Sequence, residues 1–154
     1  MMNRYKVFLS LTILYALFIF FLSSESSPGD PRSILDIEIF RSIRHYMESS
    51  EMKFILYPLG IFYKYPDKTV HMILYAVFGF LLYHTLKSSP YPAFSYHPII
   101  FAIIVGTLYG ISDEFHQSFV PGRTESIWDL TADGIGVALA QTVIYIKQKI
   151  CIRR

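Results

Sequence analysis

The sequence predicts an all-α, polytopic membrane protein: a bundle of four transmembrane helices, with a helical segment lying on the surface between the first and the second. Three observations predict it. The apolar residues are gathered into four long runs, much of the tyrosine lies near the ends of those runs, and the few ionisable residues inside them fall towards helix ends. Runs of about 20 apolar residues match the thickness of a bilayer. Amphipathic rings favour the membrane–water boundary, and ionisable groups persist in a span where they find partners.

Distribution carries this reading, because composition alone does not. The 154 residues are 53% hydrophobic, only slightly above the roughly 45–50% of soluble proteins. A net charge of +2, without a basic stripe interleaved with aromatics, excludes nucleic acid as a partner. Cys151 is the only cysteine, so no intrachain disulfide forms, and it reads as a free thiol in a basic tail.

The first run, residues 7–22, follows Arg4 and Lys6 and holds no charge. Two readings compete, a signal peptide cut near Ser23-Ser24 and a retained helix. The run exceeds the roughly 7–15 residues of a signal core, which favours the helix. The second run, residues 69–86, is apolar apart from His71 and His84. The third, residues 98–112, needs His97 and Asp113 to reach spanning length, and the fourth, residues 127–146, carries Asp129 and Asp133. Neither is a clean span alone, but packed helices supply partners for such groups. In the intervening segment 23–66, Asp30 before Pro31 reads as an N-cap followed by proline at the first helical position. Leu35, Ile39, Ile43 and Met47 then form one helical stripe. Residues 54–63 are apolar but interrupted by Pro58 and Gly60. Both stretches are expected to lie on the membrane surface or over the bundle. The whole chain, 1–154, reads as one membrane domain with its chemistry-bearing motifs in residues 67–146.

Four spans put both termini on one side. Arg4, Lys6, Lys87, Lys147, Lys149, Arg153 and Arg154 then crowd the short flanks of that side, while all 12 acidic residues lie opposite or in the helix ends that reach there. Dense basic flanks mark the cytosolic side, so both termini are expected in the cytosol.

This topology delivers polar groups from three separate stretches to one level. Asp67, Lys68 and His71 head the second helix; Asp113, Glu114, His116 and Gln117 end the third; Arg123 sits in the loop; Asp129 and Asp133 head the fourth. Asp67, His71 and Tyr75 are spaced four apart and share a face, as do Asp129 and Asp133. Gly106 with Gly110, and Ala132 with Gly136 and Ala140, give small-xxx-small pairs for close helix packing. Asp67, His71, Asp113, Glu114, Asp129 and Asp133 are the candidates for catalysis, and Lys68, Gln117 and Arg123 for ligand binding. Five carboxylates against Lys68 and Arg123 leave a surplus of negative charge. A divalent cation, protonation or a cationic partner would each relieve it. No fixed metal motif such as H-E-x-x-H occurs, so no metal is assigned and any cofactor stays unknown. The bland alternatives are plain: Asp67 as an N-cap, Asp129 and Asp133 held by Lys68 and Arg123, Pro121-Gly122 as a turn, and His45, His84, His97 and a solvent-facing His116 as ordinary residues.

Asp67-Lys68 with His71 and Tyr75, the string Asp113-Glu114-Phe115-His116-Gln117-Ser118-Phe119-Val120-Pro121-Gly122-Arg123, and then Ser126, Asp129, Asp133 and Gly136 resemble the VanZ-like family of membrane proteins. Phe20-Phe21-Leu22-Ser23-Ser24 is similar to that family's end of helix one. The resemblance covers roughly residue 67 to the last helix. It departs at Asp133, where the family's asparagine is expected. It implies a protein of the bacterial cytoplasmic membrane, in a family whose founding member is associated with resistance to the glycopeptide teicoplanin. Three functions follow as expectations. One is an envelope protein that alters how a glycopeptide or lipid-linked ligand is met at the outer surface. The second is a membrane-embedded, metal-assisted hydrolase. The third is a structural or partner-binding protein whose charges only set helix register. The bilayer is the one partner common to all three.

Overall fold

The computed structural model describes residues 4–26, 45 and 64–152. Among them lie the helices α1 (Arg4–Ser23), α2 (Pro66–Lys87), α3 (Pro92–Tyr96), α4 (Pro98–Gln117) and α5 (Ile127–Ile152), and no strand. The surface helices expected within 23–66 fall almost entirely outside the described residues. By length and apolarity, α1, α2 and α4 can each cross a membrane. The short α3 was not expected from sequence. Pro92 opens it at the first helical turn, where a missing N–H costs nothing.

Each long helix turns an apolar face outward. Leu14, Leu17 and Phe21 of α1, Ile73 and Phe80 of α2, and Ile100, Ile104 and Leu108 of α4 are all exposed. In water such a surface would be untenable, and in hydrocarbon it is ordinary. α5 follows the same plan. Ile135, Leu139, Val143 and Ile146 face out, while Asp129, Asp133 and Gln141 are buried. These three polar residues therefore point into the bundle, away from the apolar face.

α2 is the central helix, packed against α1, α4 and most extensively α5. Thr12 and Thr85 hydroxyls pair at 2.7 Å between α1 and α2, and the Tyr109 hydroxyl of α4 donates to the Ala16 carbonyl of α1 at 2.6 Å. Deeper in the bundle, Gln141 donates to the Gly79 carbonyl at 2.9 Å. The Gln148 amide donates to the Tyr83 hydroxyl near the other end. Such interhelical bonds satisfy groups that lipid cannot.

The expected small-residue contacts form. A methyl group at Gly106 would lie 2.8 Å from Val137, and one at Gly110 would lie 3.2 Å from Asp133 Oδ2. At Gly136 the partner is backbone. A Cβ there would overlap the Met72 carbonyl oxygen and come within 3.0 Å of the Ala76 nitrogen. Backbone cannot yield as a side chain can, so α2 and α5 approach this closely only because residue 136 is glycine. Gly134, two residues away, has open space around it.

Gly136→Ala should therefore destabilise the bundle by about 1–3 kcal/mol or more, the range for overpacking a dense interior. Gly134→Ala should be close to neutral. Thermal melting of the two variants in detergent checks this, and equal melting points would refute the close approach.

Candidate functional site

The start of α2, the end of α4 and the start of α5 meet at one end of the bundle. Asp113 and Glu114 lie in the last turns of α4, and Asp129 and Asp133 in the first turns of α5. Asp113, Glu114, Asp129 and Asp133 are all buried, Asp133 completely.

Local geometry explains how each is held. Ser126 precedes α5, and its hydroxyl accepts from the Asp129 N–H at 3.3 Å. That is the usual serine cap. The Ser126 N–H in turn donates to Glu114 Oε2 at 2.7 Å, so a carboxylate from α4 sits at the positive end of α5. The His71 ring, through Nδ1, meets Asp133 Oδ1 at 2.9 Å and links α2 to α5. Lys68 Nζ pairs with Asp129 Oδ1 at 2.7 Å, also between α2 and α5, but nearer solvent. Gln117 donates to Asp113 Oδ2 at 3.3 Å within α4. One ligand-capable atom each from His71, Asp113, Glu114 and Asp133 falls within 4.8 Å of the other three.

Two of the sequence candidates stand apart. Asp67 is exposed in the first turn of α2, where it favours the helix dipole, but Tyr65 is the N-cap residue. Arg123 does not neutralise a carboxylate. Its Nε donates to the Glu25 carbonyl and its Nη2 to the Leu22 carbonyl, each at 3.0 Å. The planar fork thus ties down two carbonyls at and just beyond the end of α1, which the acidic tally of the sequence did not anticipate. Val120 to Arg123 close a turn with Gly122 at a φ of 82°, as expected for Pro121-Gly122 in a type II turn. A side chain at Gly122 would also press on the Ser26 carbonyl oxygen at 2.8 Å.

His116 needs a correction too. It is only half exposed. Its Nε2 lies 3.0 Å from the Ser24 hydroxyl and its ring lies 4.4 Å from that of Phe20. It helps Arg123 fasten the end of α1 to the loop. His84 stacks on Phe8 away from the site, and exposed His45 lies outside any helix contact described.

Sequence reasoning missed one member, the Tyr75 hydroxyl. Tyr75 is 1% exposed, one turn beyond His71 on the same face, and its oxygen has no hydrogen-bond partner. The four-residue spacing from His71 carried that signal.

The class is therefore a membrane-type helix bundle with a buried carboxylate–histidine site at one end. The chain belongs to the VanZ/LLP1 family, whose model matches residues 7–148. The match includes α1 and so extends well beyond the stretch from residue 67 onward. No curated protein and no solved structure matched the chain.

His71→Ala would leave a fully buried Asp133 without its cationic or donor partner, and breaking such a pair costs about 3–5 kcal/mol. Folded protein recovered in detergent should drop sharply, and adding Asp133→Asn should restore much of it. A double variant no better than the single one would show that the pair is not what the site depends on. Arg123→Ala should cost about 1–2 kcal/mol, the low end for bonds from a charged donor because one of the two is exposed. Arg123→Lys should recover only part, since an ammonium does not span both carbonyls. A lysine variant that melts with the wild type would rule out the fork as the fastening of α1.

Proposed function

We propose that this is an envelope protein of the bacterial cytoplasmic membrane, one domain with four spans and both termini in the cytosol. Its polar site at the outer face receives a lipid-linked ligand and thereby alters glycopeptide susceptibility, teicoplanin included. The observation that carries this reading is a groove of about 520 Å³ between α2 and α5. Tyr65, Met72, Trp128, Ala132 and Ile135 make it apolar, and Lys68 lines it too. Lys68 also pairs with Asp129, and the next turn holds the His71–Asp133 pair. A groove open to lipid suits a hydrocarbon chain, and a cation beside it suits an anionic headgroup. Trp128, Phe115 and Phe119 are exposed at the same end, where aromatic residues favour the boundary of the bilayer.

A second reading, a metal-assisted hydrolase acting on an envelope substrate, draws on the buried carboxylates and His71. A purely structural role fits less well. A charge network that serves only to set helix register ends with its oxygens paired, and several here are not.

Deleting the gene should lower the teicoplanin concentration that inhibits growth, and wild-type protein should restore it. Ile135→Trp, which fills the groove from an exposed position, should fold yet fail to restore it. Full restoration by Ile135→Trp counts against the groove, and unchanged susceptibility on deletion counts against the glycopeptide role. The topology has its own check, in a Cys151→Ser background because Cys151 is itself exposed. An impermeant thiol reagent applied to intact cells should label a cysteine at position 27 and spare one at 149. The reverse pattern would invert the protein.

A further inference from the structure

We infer that His71, Asp113, Glu114 and Asp133 form a binding site for one divalent transition-metal ion. The inference stands apart from the ligand and glycopeptide reading above, and its test does not depend on that reading.

Two of the three carboxylates share one pattern, and the third meets the imidazole directly. Asp133 has Oδ1 2.9 Å from His71 Nδ1, two donor atoms close enough to share one ion, and Oδ2 without a partner. Asp113 has Oδ2 held by Gln117 and Oδ1 without a partner. Glu114 has Oε2 held by the Ser126 N–H and Oε1 without a partner. In Asp113 and Glu114, one oxygen is fixed by the scaffold and the other is buried and bare. Metal-binding carboxylates are oriented in this way, by outer partners on the oxygen that does not ligate.

Charge points in the same direction. Lys68 is engaged by Asp129, and Arg123 by the carbonyls of Leu22 and Glu25. Among the described residues, that leaves His71, through Asp133, as the only basic group bonded to any of the three carboxylates. Buried carboxylates without compensation are strongly disfavoured. None of the bare oxygens has any hydrogen-bond partner. The Tyr75 hydroxyl, one turn beyond His71 on α2, is a further buried polar atom that the protein leaves unsatisfied.

Scale and donor type then select the ion. Bonds of about 2.0–2.2 Å place ligands on opposite sides of an ion about 4–4.5 Å apart. One ligand-capable atom from each of the four residues lies within 4.8 Å of the others. Calcium and magnesium favour all-oxygen shells, whereas an imidazole among carboxylates suits zinc or manganese.

The full chain, purified in detergent and stripped with a chelator, is titrated with zinc and, separately, with manganese. The expected result is saturable binding of one ion per chain, with a melting temperature that rises with metal concentration, as linkage requires. Asp133→Asn and Glu114→Gln should each weaken binding by more than the ~10–100-fold typical of losing an outer-sphere partner. Asp67→Asn, on the exposed first turn, should leave it unchanged. The wild-type titration stands even if a site variant does not fold. Wild-type protein that is folded but binds neither ion more tightly than ~1 mM, the affinity of the loosest specific cation sites, overturns the inference. So does binding that survives both site substitutions, or that Asp67→Asn abolishes.

Discussion

α5 lies against α2 at backbone distance, and the site exists because of it. Gly136 faces the Met72 carbonyl with no room for a methyl group. Three residues earlier on α5, nearly one turn, Asp133 reaches His71. One further turn out, Asp129 reaches Lys68. A larger residue at 136 would push the helices apart and lengthen both links together. Gly110 does the same from the third side, since Asp133 packs directly on it. Close packing thus decides where the charges meet, because without a hydrophobic drive between helices in lipid, small residues set the approach.

The charged residues divide their tasks once that packing is fixed. Arg123 works on α1, Lys68 works near solvent, and Ser126 with Gln117 holds carboxylates in place from behind. What remains is a compact group of oxygens and one imidazole with little else to bond. A site of this kind is held rigid by its surroundings before anything binds, so little reorganisation opposes binding.

Much of this was legible in the sequence, and the physics explains which parts. The four long helices followed from run length, with ends displaced by a few residues because polar ends such as Asp113 to Gln117 stay helical. That α2, α4 and α5 bring their polar groups together followed from helix direction alone. The small-residue faces followed from four-residue spacing. Arg123 was a ligand-binding candidate with Asp129 or Asp133 as its alternative partners, and neither reading considered that helix ends offer uncharged carbonyls that take the same fork. His116 was misread for a similar reason, since its partners Ser24 and Phe20 belong to a distant helix. The bare oxygens were not legible at all, because which side of a carboxylate is occupied depends on three-dimensional packing.

The clasp between Arg123 and Leu22 spans 101 residues of chain. During synthesis at about 5–20 residues per second, the end of α1 therefore waits several seconds or more for the loop that covers it. α1 and α2 can pair early, through Thr12 and Thr85. The acidic end of α4 and the acidic start of α5 follow together, joined by a short loop. The order of birth thus keeps the costliest charges out of the assembly until α1 and α2, two of the helices they pack with, are already present.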